Sequence, residues 1–137
     1  MYSKILMPVD LGHAAELDKA FGVAASLAKS FGAEAHVVGV TMSSPSAVAR
    51  TPEAFGEKLA ALAAERSDEL GVRFEPHVEI SHDVRIDLDD VLKRAADRIG
   101  ADLIVMASHV PGFAEHLFAS NAGYLASHAS ISVFVVR

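Results

Sequence analysis

Two short, wholly apolar runs lie near one end of this chain, Leu103-Ile104-Val105-Met106-Ala107 and Val133-Phe134-Val135-Val136. A strand without polar alternation must be covered on both faces, and two parallel strands need a crossover between them. The intervening residues supply one: a loop carrying Pro111 and Gly112, then a small-residue helix headed by Ser120-Asn121. Strand, loop, helix N-terminus and parallel strand is the layout by which α/β proteins hold a phosphate.

The same alternation runs through the rest of the chain. Residues 3–10 read as a short buried strand ending at Asp10, with Pro8 near its exit. A helix is predicted from Ala14 to Phe31, with Leu17, Phe21, Ala24 and Ala28 at helical spacing and Gly32 as its stop. His36–Val40 is a second strand, and residues 43–50 form a small-residue loop. Thr51-Pro52 opens a helix marked by Phe55, Leu59, Leu62, Arg66 and Leu70 and ended by Gly71. Val72 to Ile80 is a third strand; Ser81-His82-Asp83 leads into a helix with Leu88, Val91, Leu92, Ala95 and Ile99 inward, closed by Gly100.

This order predicts a three-layer α/β domain over residues 1–137, flavodoxin-like or Rossmann-like. Its five-stranded parallel sheet would have the order 3-2-1-4-5, with four helices on both faces. The crevice then lies at the carboxyl ends of strands 1 and 4, the topological switch point, with Asp10 beside the 107–111 loop.

Composition narrows the function. A net charge of -6 lacks the basic footprint of a nucleic-acid binder. With no cysteine there is no disulfide, thiolate nucleophile or Cys-type zinc site. The opening residues do not read as a signal peptide and no apolar run reaches the ~18 residues of a membrane span, so a cytoplasmic location is expected.

Four chemistries compete for the switch point and its surroundings. For a nucleotide, Asp10 offers an acceptor for a base amino group or a ribose hydroxyl, while Gly112 and the Ser120 helix start offer N–H donors. The plainer reading is that Asp10 ends a strand and Ser120-Asn121 cap a helix. No metal site is expected: His109 and His116 lack helical chelate spacing, and His13, His36, His77, His82 and His128 fall in different elements. Asp83, Asp87, Asp89 and Asp90 suit the dipole at a helix start. Hydrolysis has no Gly-x-Ser-x-Gly elbow or Walker-type loop behind it, so no catalytic residue is assigned. Finally, Val133, Phe134, Val135 and Val136 form an apolar edge strand that pairing with a second copy would cover.

The residues resemble the universal stress proteins over the full length. The resemblance rests on Lys4-Ile5-Leu6-Met7-Pro8-Val9-Asp10, on Ala101 to His109, on Ser120-Asn121-Ala122 and on Ser132 to Arg137. Ala107-Ser108-His109 followed by Pro111, then Ser120-Asn121, is similar to the short-loop branch of the enterobacterial F and G types. The resemblance implies a homodimer joined through the last strand and, in many members, bound ATP or AMP, with magnesium only alongside ATP. It implies a regulatory protein partner; some stand-alone members sit beside tripartite solute transporters. Carried over by position, Asp10 and Val40 would hold adenine and ribose, while Ser108, His109, Gly112, Ser120 and Asn121 would approach the phosphates. Pro8, Val9, Met106, Ala107 and Ala122 complete the nucleotide-binding set that the resemblance implies.

The family's phosphate loop, Gly-x-x-Gly with a later Gly-Ser or Gly-Thr pair, is altered here. Ala107, Val110 and Ala119 stand where its glycines would be. A β-branched side chain at 110 opposes close backbone approach to phosphate. The expectation is a small homodimeric regulator that binds adenine nucleotide, with ATP hydrolysis at most slow and incidental. The alternatives are a nucleotide-free dimeric scaffold and a weak hydrolase using His109.

Overall fold

The computed structural model describes residues 1–46, 48–107 and 124–137, and residues 84–86 by their backbone. Five parallel strands, β1 (Lys4–Val9), β2 (Glu34–Met42), β3 (Phe74–Ser81), β4 (Leu103–Ala107) and β5 (Ser132–Val136), form one sheet. Their order is β3-β2-β1-β4-β5, as expected. Helices α1 (Asp18–Phe31), α2 (Pro52–Leu70) and α3 (Val84–Ile99) join them, and residues 124–128 are also helical.

Alternate residues of each strand feed two separate cores, as a period of two requires. Ile5, Met7 and Val9 of β1 with Val37, Leu103 and Val105 meet Phe21, Ala24 and Leu59 of α1 and α2. Leu6, Val38, Ile104 and Met106 point the other way, onto Leu88, Leu92 and Ala95 of α3 and onto Leu125. Five inward residues expected of α3, Leu88, Val91, Leu92, Ala95 and Ile99, are all buried.

Helix ends follow the local chemistry. Thr51 Oγ1 accepts from Ala54 N at 3.1 Å with Pro52 in the first turn, and Gly71 closes α2 in the left-handed region at φ 66. The helix expected from Ala14 begins later. Residues Leu11–Leu17 wind as a 3-10 segment that Asp10 caps, and His13 breaks it at φ -133 before α1 starts at Asp18. Apolar spacing does not register this kink, because a side-chain cap three residues upstream, at Asp10, sets it. Similarly, β2 is longer than its apolar run, since Glu34 and Met42 pair along β1 and β3 at its ends.

One carboxylate ties the sheet's amino ends together. Asp102, just before β4, accepts from Ser3 N at 2.9 Å, Ser3 Oγ at 3.1 Å and Lys4 N at 3.0 Å. Burial acts to raise its carboxyl, but the donors from Lys4 and Ser3 outweigh it and hold it below the usual aspartate range. A depressed folded value means that stability is present above the unfolded value of ~3.9 and is lost as pH falls through the folded one. Urea midpoints measured against pH should therefore fall on the acid side, and Asp102→Asn should flatten that fall. An Asp102→Asn profile parallel to the parent's would discount the clip.

Candidate functional site

The carboxyl ends of β1 and β4 meet at the centre of the sheet. The registered β1–β4 pairing covers only Ile5 with Leu103 and Leu6 with Ile104, whereas β1–β2 runs on from Lys4 to Val9. Pro8 has no N–H with which to extend a ladder. Pro8, Val9, Met106 and Ala107 are buried there, and Val40 of β2 is half-buried against the α3-side core.

Asp10 follows β1 directly at this rim. Its Oδ1 accepts from Gly12 N at 3.0 Å, and its Oδ2 lies 3.1 Å from His13 Nδ1. His13 N also donates to the Asp10 carbonyl at 3.0 Å. The carboxylate is thus the cap of the 3-10 segment and an acceptor at the crevice rim. A β-carbon added at Gly12 would stand 3.3 Å from Asp10 Oδ1 and 3.8 Å from a Val48 methyl, so the 43–50 loop comes close over this turn. That loop is folded on Ser46, whose Oγ accepts from Val48 N and Ala49 N, and Lys58 of α2 donates to the Val48 carbonyl. An acceptor under a small-residue loop, with apolar walls beside it, suits a ribose hydroxyl or a base amino group.

Ser108, His109, Val110, Gly112, Ala119, Ser120, Asn121 and Ala122, which the sequence assigns to the phosphate side, lie outside the described residues. At the far edge of the sheet, β5 pairs with β4 and exposes alternate residues, leaving Phe134 44% accessible.

A second polar group sits at the amino ends of β2 and β3, which the sequence reading missed. His36 and His77, which look scattered along the chain, meet across these strands with Nδ1 of His36 2.9 Å from Nε2 of His77. His36 Nε2 lies 3.0 Å from Glu34 Oε2. Burial, then the proximity of His36 and Arg98, lowers the basicity of His77, while the bond from His36 and the nearby Lys4 lower the Glu34 carboxyl. Only the β2–β3 register could have revealed this pair, because it sets His77 diagonal to His36. On α3, burial raises the Asp89 carboxyl, and its Oδ1 finds no partner among the described residues. Among the described residues, no three ligand-type side chains converge on one point.

The model of the universal stress protein family matches residues 1–137. The chain belongs to that family. It is 34% identical over 144 residues to universal stress protein G of Shigella flexneri, covering 100% of both chains, in keeping with the branch its short loop resembles. Among solved structures it is similar to the universal stress protein of Archaeoglobus fulgidus in complex with dAMP, with a TM-score of 0.69 at 20% identity, covering 99% of this chain and 98% of that one. A universal stress protein in complex with cAMP also superposes with a TM-score of 0.69, at 18% identity and covering 99% and 97%. Among the described residues of this family member, no helix is long and apolar enough to cross a membrane.

Proposed function

We propose that the chain is a cytoplasmic regulator that binds an adenine nucleotide, ATP or AMP, in the crevice between β1 and β4. The observation that carries the reading is Asp10, an acceptor at the carboxyl end of β1 and beneath the 43–50 loop. Ligands are held at this point of open α/β sheets because the strands on its two sides cross over in opposite directions. The dAMP and cAMP complexes of the similar structures support the choice of ligand class. In this reading two copies pair through β5, and nucleotide occupancy alters the loop surface offered to a partner protein. Magnesium would enter only with ATP, and catalysis is not its role.

Calorimetric titration with ATP, ADP and AMP tests the ligand. Micromolar binding that weakens at least tenfold in Asp10→Ala is expected, about 1.4 kcal/mol or more. No heat at millimolar nucleotide would sink the reading. Sedimentation equilibrium of the same samples tests the pairing, and a monomer at high micromolar protein would remove it.

One observation favours a second reading, a nucleotide-free scaffold. Both Asp10 oxygens already have partners within the chain, Gly12 N and the His13 ring. A dimer without nucleotide affinity, even after Val110→Gly with Ala119→Gly, would decide for the scaffold.

A further inference from the structure

We propose that His36 and His77 are the primary ligands of a divalent transition-metal site on the α3-side face of the β2–β3 ladder, remote from the nucleotide crevice. The two facing nitrogens are 2.9 Å apart. Two ligands bound at ~2.05 Å and at a right angle stand ~2.9 Å apart, and at a tetrahedral angle ~3.3 Å apart. The strands therefore need not move. Only the rings must turn, so that both lone pairs meet at a point off the line joining the nitrogens, and imidazole torsions of this kind are soft.

The surroundings favour the metal-ready form. Glu34 Oε2, 3.0 Å from His36 Nε2, accepts its hydrogen and leaves Nδ1 bare toward His77. A carboxylate behind a ligating imidazole is the usual way of fixing its tautomer and orientation. The hydrogen now between the two rings then belongs to His77 Nε2. On metal binding it leaves that nitrogen and one is taken up at His77 Nδ1, so a neutral ring stays neutral.

The two histidines are the only protein donors that converge among the described residues, so water completes the shell, and Glu75 on the next strand is near in register without being in place. Glu75 stands directly opposite His36 in the register and shares the face of His77, two residues away. Glu34, His36 and Glu75 all line an open groove of about 490 Å³, roomy enough for the water that completes a coordination shell. Glu75 is held by Arg73 at 2.9 Å, but that pair is exposed and is cheaply broken. On the far side Arg98 is occupied by Glu79, so its charge is offset next to the ion. The right-angle spacing and the nitrogen-rich donor set select copper(II) and nickel(II) over magnesium or calcium, with zinc(II) next.

The test is calorimetric titration of the untagged, chelator-stripped full chain with copper(II), nickel(II), zinc(II) and magnesium. The expected result is one ion per chain in the micromolar range, copper tightest, with no magnesium heat. His36→Ala and His77→Ala should each weaken binding at least tenfold, and Glu34→Ala about tenfold through the tautomer. If either alanine variant loses its circular dichroism, His→Gln at the same position takes its place. Electron spin resonance of the copper form should show two coordinated nitrogens, reduced to one in the His77 variant. Unchanged affinity in either histidine variant would overturn the assignment, since other histidines would then hold the metal. Absence of binding at millimolar metal would overturn it as well.

Discussion

Phe21→Ala should lower the stability of the domain by about 3–5 kcal/mol, in a family of folds whose total is roughly 5–15 kcal/mol. Phe21 on α1 is fully buried between the helix and the sheet. Its ring stands edge-to-face on Phe74 of β3 at 5.2 Å between centroids and 90°, and the Arg66 guanidinium lies 5.4 Å from its centre. Removing the ring leaves a cavity in the α1-side core beside Phe74. It also strips Arg66 of its apolar partner, although Arg66 remains tied to Asp18 at 2.6 Å and Glu69 at 3.0 Å. Arg66 Nε is already buried without a hydrogen-bond partner, so the loss there is not repaired by a new bond. Urea unfolding would read the change as a lowered midpoint at constant slope. A loss under about 1 kcal/mol would mean that the α1-side core repacks as freely as a surface.

Gly39→Ala should cost about 1–3 kcal/mol through the opposite fault, too much volume in a closed space. A β-carbon on Gly39 would meet the Phe55 ring at 2.6 and 2.9 Å and Leu59 Cδ2 at 3.1 Å. Glycine is present here for close approach, since α2 lies directly on this point of β2. Phe55 belongs to the first turns of α2, next to Lys58, which holds the 43–50 loop. Displacement of Phe55 should thus reach the loop above Asp10 as well as the core. A double-mutant cycle with Phe55→Leu checks the cause: the smaller side chain should recover most of the loss. Additive losses would show that the strain lies elsewhere.

The apolar strands were plain in the chain because they need no partner to be recognised. Leu103–Ala107 and Ser132–Val136 run as expected to the residue, and the inward face of α3 follows its helical spacing. The turn after β1 was less legible, because Asp10 bonds to Gly12 and His13 instead of simply ending a strand. Pairing across strands was illegible: two residues far apart in the chain, His36 and His77, become neighbours only once β2 and β3 are in register. Of the residues proposed for a nucleotide, Asp10 and Val40 lie just after β1 and near the carboxyl end of β2, elements that propensity predicts well. The residues that the resemblance assigns to phosphate fall within 108–122, outside the described residues, in a stretch whose small residues and glycine positions the hydrophobic period does not read.

The short β1–β4 ladder divides the sheet into two leaves bound only near the foot of their shared spine. Two registered rungs, at Ile5 and Leu6, join the β3-β2-β1 leaf to the β4-β5 leaf, and Asp102 clasps the same end. Toward the upper end, Met7 to Val9 have no registered partner on β4 among the described pairings. The strand that carries the outer edge, β5, hangs from β4 by five registered pairs, so the crevice and the outer edge are two borders of the same two-stranded leaf.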